Sequence, residues 1–233
     1  MYAGRASGLY PGGVSDAATA PQNLREKPRL RGRFHQAGFF ISLPAGLLLI
    51  WVAPGAAARI GAIIYWISLQ LQFGASAMYH LGGWSDEAYI RMRRLDHSMI
   101  FVLIAGTYTP MCLVALHGTA SWLVLAAVWT GAAIGIVTKL YRVDLHVLSG
   151  IMYIGLGWVA VFVLPALSRA MSGVGMALVV TGGVLYTLGA LVLAMHKPDP
   201  WPEWFGYHEV WHVFTILAAT SLYLSILLLY LSA

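Results

Sequence analysis

The sequence predicts an all-α integral membrane protein of seven transmembrane helices, with its N-terminus in the cytoplasm and its C-terminus outside. Three observations predict it. First, 59% of the 233 residues are apolar and only 10% are charged, where soluble domains average about 45–50% and about 25%; mean hydropathy is +0.73. Second, the apolar residues gather into seven stretches, each near the ~20 residues that cross a bilayer as a helix. Third, the basic residues fall almost entirely on one side of that series. This composition excludes a disordered chain, a nucleic-acid-binding domain and an ordinary soluble enzyme. The pI of about 9.4 rests on 14 Lys+Arg over 9 Asp+Glu. In so apolar a chain that excess marks cytoplasmic loops, and no nucleic-acid partner is expected.

Residues 1–33 read as a polar, basic, flexible cytoplasmic tail. They hold Pro11, Gly12, Gly13 and Pro21 without periodicity, then turn basic at Arg25, Lys27, Arg29, Arg31 and Arg33. No apolar stretch of the signal-peptide kind is present there. Residues 34–233 form one membrane domain. Its spans fall at about 34–53, 60–80, 96–116, 119–138, 145–164, 174–195 and 208–231, with connections too short for a second domain. The lone cysteine, Cys112, lies in an apolar run and allows neither an internal disulfide nor a cysteine metal site.

Twelve basic residues flank the spans on the N-terminal side: Arg5 and the five of the tail's basic run, then Arg91, Arg93, Arg94, Lys139, Arg142 and Lys197. Arg59 and Arg169 alone lie on the other. The excess of Lys and Arg on cytoplasmic loops therefore sets the orientation. Within the spans, Gly131 and Gly135 in a GxxxG spacing and the Gly182-Gly183 pair predict close helix packing. Pro44 and Pro110 lie inside spans and predict kinks.

Polar side chains at membrane depth are costly, and each is a functional candidate by default. Span two ends in Ser76-Ala77-Met78-Tyr79-His80, span three opens with Leu95-Asp96-His97, and span seven opens with His208-Glu209-Val210-Trp211-His212. The topology brings those three ends to the cytoplasmic side. His208 and His212, four apart, share a helix face, as do Ser76 and His80. His80, His208 and His212 can thus converge. Three imidazoles with an open fourth position make a catalytic Zn2+ site, which lowers the pKa of bound water. Asp96 would accept a hydrogen bond from that water or take its proton, and Ser76 would bond a ligand or the reacting carbonyl. The bland reading is interfacial histidines among headgroups. His208–His212 also matches HExxH, the zincin pattern with Glu as general base. No Asp, Glu or His follows His212, so a third ligand must come from upstream, which argues against a soluble-type zincin. An intramembrane metalloprotease with Asp96 as the added ligand stays open.

These motifs, taken in order, resemble the bacterial hemolysin III proteins, within the superfamily of the progestin and adipoQ receptors. The resemblance rests on Lys27-Pro28-Arg29-Leu30-Arg31-Gly32 with His35, Ser76–His80, Arg94-Leu95-Asp96-His97, Ile104–Pro110, Tyr153 with Gly157-Trp158, and His208–His212. It covers about residues 27–230. It implies a seven-helix fold in the bacterial inner (plasma) membrane with a cytoplasmic-side zinc held by His80, His208 and His212. Asp96 matches the acid beside zinc-bound water, and Ser76 the serine one turn before the first ligand. The receptor relatives resemble alkaline ceramidases, which implies a membrane hydrolase of lipid amide or ester bonds, with membrane lipids as partners. The hemolysin name implies a membrane-damaging cytolysin or channel-like protein as the alternative. A membrane sensor or receptor with structural zinc is a further one. Two departures stand out. Tyr223 replaces a histidine that many relatives carry, and Glu209 is not fixed in the family, so it is not assigned as the base.

Overall fold

The computed structural model describes residues 27–233. Arg5 and Arg25 of the expected tail lie outside them. Seven segments are long and apolar enough to cross a membrane, and no named strand occurs among the described residues. The helices are α1 (Arg33–Val52), α2 (Ala56–Leu81), α3 (Asp86–Ala115), α4 (Gly118–Tyr141), α5 (His146–Trp158), α6 (Leu164–Ala170), α7 (Gly173–Met195) and α8 (Tyr207–Leu231). A 3₁₀ turn, Val159–Val163, joins α5 to α6, and the three pieces together make the fifth span.

Local chemistry starts the helices where they start. The Ser85 hydroxyl accepts from the Ala88 N–H, and Asp86 and Glu87 stand in the first turn of α3, at the positive end of its dipole. The Ser172 hydroxyl caps α7 by accepting from the Gly175 N–H at 3.1 Å. Helix α3 is the most buried span and the fifth is the least. Helices α2 and α3 pack extensively, as do α7 and α8, while α1 lies against α2 and α8.

Small residues set the helix separations, as the sequence predicts, with one refinement. A Cβ on Gly131 would run into Leu156 of α5, whereas one on Gly135 would run into the Phe101 ring of α3. The two glycines of the GxxxG therefore serve different neighbours. Gly182 faces Leu222 of α8, where a Cβ would lie 2.7 Å from Leu222 Cγ, while Gly183 faces open space.

The fifth span differs from the uninterrupted helix over 145–164 that the sequence predicts. Pro165 has no N–H to donate to Val161 and its ring crowds that carbonyl. The α-helix stops at Trp158 and a 3₁₀ turn carries the chain to α6. Tyr108 of α3 covers the break: its hydroxyl donates to Gly157 O at 2.6 Å and accepts from the Ala160 N–H at 2.7 Å. Freed backbone groups at membrane depth need such partners. Helices α1 and α3, by contrast, run through Pro44 and Pro110 without interruption.

Other tyrosines tie spans together through backbone carbonyls. Tyr65 of α2 donates to Ala219 O of α8, Tyr223 of α8 donates to Ala45 O of α1, and Tyr230 of α8 donates to Ala58 O of α2. Tyr223 is thus a helix tie here.

Candidate metal centre

The last turn of α2 and the first two turns of α8 meet on the face of the bundle from which α1 starts. The meeting places His80, His208 and His212 together. Each offers one ring nitrogen, and these atoms all lie within 4.8 Å of one another. His80 Nε2 and His208 Nε2 are 3.2 Å apart. His80 and His212 are buried and His208 is half-buried. The group does not include Asp96.

The arrangement suits a metal ion. Two nitrogens bound at ~2.0–2.1 Å to one tetrahedral ion lie about 3.3–3.4 Å apart, close to the observed 3.2 Å. Buried His212 Nδ1 has no hydrogen-bond partner, and orphaned buried polar atoms are uncommon in folded proteins. The histidines could therefore hold a metal ion.

The packing around the histidines is specific. His35 of α1 stacks flat on His212, centroids 3.9 Å apart and planes at 7°. Thr215 Oγ1 donates to His212 O at 2.8 Å, so it accepts from His35 Nε2–H at 3.0 Å. His35 thus presents a ring face, not a lone pair, to His212 and orients that ring. Sequence reasoning placed His35 only within a motif, because a stacking partner 177 residues away in the chain leaves no local pattern.

Ser76 lies one turn before His80 on the buried face of α2, close to the Asp96 carboxyl of α3. Asp96 is 7% exposed, and its Oδ1 has no partner. Its Oδ2 stands 3.8 Å from His97 Nδ1, but that nitrogen is bonded to Arg93 O at 2.8 Å. Asp96 thus keeps an uncommitted buried oxygen beside the α2 face that carries His80.

Glu209 has a different job from the one HExxH suggests. It is fully buried. Its Oε2 accepts from the Gly206 N–H at 2.9 Å, capping α8, and its Oε1 is ion-paired with Arg31 Nε. Both oxygens are committed. Arg31 belongs to a strap, residues 27–32, laid over the loop before α8. The Arg29 N–H donates to Glu203 O and the Leu30 N–H to Trp204 O. The Arg29 guanidinium sits 4.4 Å over the Trp204 ring. Lys27 stands 5.4 Å over the Tyr89 ring, and partial burial together with the Arg31 charge lowers its pKa. Gly32 ends the strap at φ 79°, where a Cβ would lie 2.7 Å from His80 Cβ. Only glycine fits both that backbone and that contact. The strap was not legible from composition, which shows only its charge.

The comparisons with known proteins agree with this architecture. The family model described as "Haemolysin-III related" matches residues 24–223. The chain belongs to that family. It is similar to "Hemolysin-3" of Bacillus cereus, 32% identical over 197 residues that cover 83% of this chain and 87% of the relative. It is also similar to "Hemolysin-3 homolog" of Bacillus subtilis (strain 168), 31% identical over 197 residues, 83% of this chain and 89% of the relative. The protein is a multi-pass integral membrane protein of the haemolysin III family with a histidine cluster able to hold a metal ion.

Proposed function

We propose that this chain is a zinc-dependent membrane hydrolase that cleaves an amide or ester bond of a lipid on the cytoplasmic side of the bacterial inner membrane. The observation that carries the proposal is the pairing of the three-histidine cluster with the uncommitted buried oxygen of Asp96, close to Ser76 on the α2 face that carries His80. Three imidazoles suit zinc best among common ions, and zinc bound there would supply an acidified water and a Lewis acid toward a carbonyl oxygen. His80, His208 and His212 hold the ion, and His35 fixes the plane of His212. Asp96 Oδ1 orients the attacking water and receives its proton. Ser76 holds the Asp96 carboxyl in place through its hydroxyl and stands one turn from His80, within the same face. No fourth His, Cys, Asp or Glu joins the cluster among the described residues, which supports an open catalytic site over a closed structural one. The committed oxygens of Glu209 weigh against a metalloprotease that uses it as base.

The test is metal content and lipid turnover measured side by side in Asp96→Ala. Zinc should stay bound while hydrolysis falls by about 10²–10⁴-fold, the usual contribution of a general base. Ser76→Ala should cost less, because one hydrogen bond contributes only ~0.5–1.5 kcal/mol net. Loss of zinc from Asp96→Ala would make Asp96 a ligand and favour the sensor reading. Unchanged turnover in both variants would refute the mechanism. A membrane-damaging role is the second reading, supported by the name of the Bacillus cereus relative. Vesicle lysis that persists in Asp96→Ala and His208→Ala would favour it.

A further inference from the structure

Away from the histidines, the groove between α3 and α4 has the chemistry of a lipid site. It encloses about 330 Å³, with Arg91 and Arg94 at one end and Leu95, Met99 and Ile136 along its wall. Ligand sites commonly span about 300–1,000 Å³. Two polar atoms here are buried without a partner, Arg94 Nε and Ser98 Oγ, and Ser98 is 2% exposed. An N–H can only donate and a hydroxyl can also donate, so an acceptor-rich occupant would satisfy both.

The depth of the groove identifies the occupant. Helix α3 has 30 residues, about 45 Å at 1.5 Å per residue, whereas the hydrocarbon layer is about 30 Å thick. The surplus, roughly ten residues, places Asp86–Leu95 at the headgroup level and the segment from Met99 onward among acyl chains. The arginines therefore stand where lipid phosphates lie. Arg91 faces Glu87 at 3.8 Å, but both side chains are largely exposed, and such a pair holds an arginine weakly. Leu95 and Met99 also line a second groove of about 490 Å³, toward α1 and α2. They form a ridge with an apolar trough on each side, which fits an amphiphile with two chains.

We propose that this face of α3 binds an anionic diacyl phospholipid. Arg94 and Arg91 receive its phosphate, the Ser98 hydroxyl donates to an ester carbonyl one turn deeper, and the two acyl chains straddle Leu95 and Met99. The site is separate from the histidine cluster, so its failure would leave the hydrolase reading untouched.

The experiment counts lipids bound to the purified full-length chain in a neutral detergent by native mass spectrometry. Phosphatidylglycerol, phosphatidylcholine and inorganic phosphate are titrated separately. Phosphatidylglycerol should bind about fivefold or more tightly than phosphatidylcholine, the scale of one basic side chain at a membrane surface. Arg94→Gln should remove that preference, and Arg91→Gln should reduce it. Arg91 is exposed, so its variant should fold even if Arg94→Gln does not. Arg59→Gln, at the far face, should bind like the wild type. Equal affinity for the two lipids would overturn the proposal. So would wild-type selectivity in Arg91→Gln, or displacement of phosphatidylglycerol by equimolar inorganic phosphate, which would mark a simple anion site.

Discussion

Replacing Glu209 with Gln separates a structural clamp from a catalytic base. Gln keeps an oxygen that can accept from the Gly206 N–H, so the cap on α8 survives. What disappears is the negative partner of Arg31. Glu209 is fully buried and the Arg31 side chain is 19% exposed. Removing one member of a buried ion pair costs about 3–5 kcal/mol, because the other charge is left buried and unpaired. The residual exposure of Arg31 places the cost at the lower end, about 3 kcal/mol. For a chain of this size each kcal/mol shifts the melting temperature by about 2–4 °C, so Glu209→Gln should melt roughly 6–12 °C lower. The assay is thermal unfolding of the detergent-solubilised protein, with Arg31→Met and the double variant alongside. The double variant should recover part of the loss, since it buries no unpaired charge. A Glu209→Gln protein that melts with the wild type but loses all hydrolysis would restore Glu209 as a general base. Strict additivity of the two single changes would refute the clamp.

Two further outcomes follow from the same geometry. His208→Ala should lose most of its bound zinc, since two imidazoles make a much weaker site, while His117→Ala, between α3 and α4 at the far face, should keep it; elemental analysis of the purified variants decides. A C-terminal reporter that is active only in the cytoplasm should stay silent, and a bright signal would reverse the orientation inferred from the basic residues.

The spans were legible because bilayer thickness imposes a length on every helix, and a run of apolar residues displays that length directly. The three histidines were legible for a related reason. Seven alternating crossings bring the end of α2 and the start of α8 to one face, and i,i+4 spacing turns His208 and His212 the same way. Interactions between residues far apart in the chain were not legible. The Arg31–Glu209 pair spans 178 residues, and the His35–His212 stack spans nearly as many. Neither leaves a periodic trace. The break in the fifth span did leave one, Pro165, but its repair by Tyr108 depends on α3 lying alongside. The GxxxG spacing announced close packing and not that its glycines face different helices.

The Glu209 contacts explain how one five-residue motif can serve two chemistries. In a zincin the glutamate must reach water at the metal, so its carboxylate has to stay free. Here Glu209 sits at the third residue of α8, where its side chain can turn back to the Gly206 N–H, and the strap brings Arg31 to its other oxygen. Those contacts fix the start of the helix that carries His208 and His212. The acid with a free oxygen is on another helix, at Asp96, close to Ser76. The motif thus supplies two candidate ligands and the rivet between them, while the proposed proton acceptor comes from α3. A strap that grips α8 at its first turn also couples the segment before α1 to the histidine cluster, since Gly32 touches His80 as Arg31 holds Glu209.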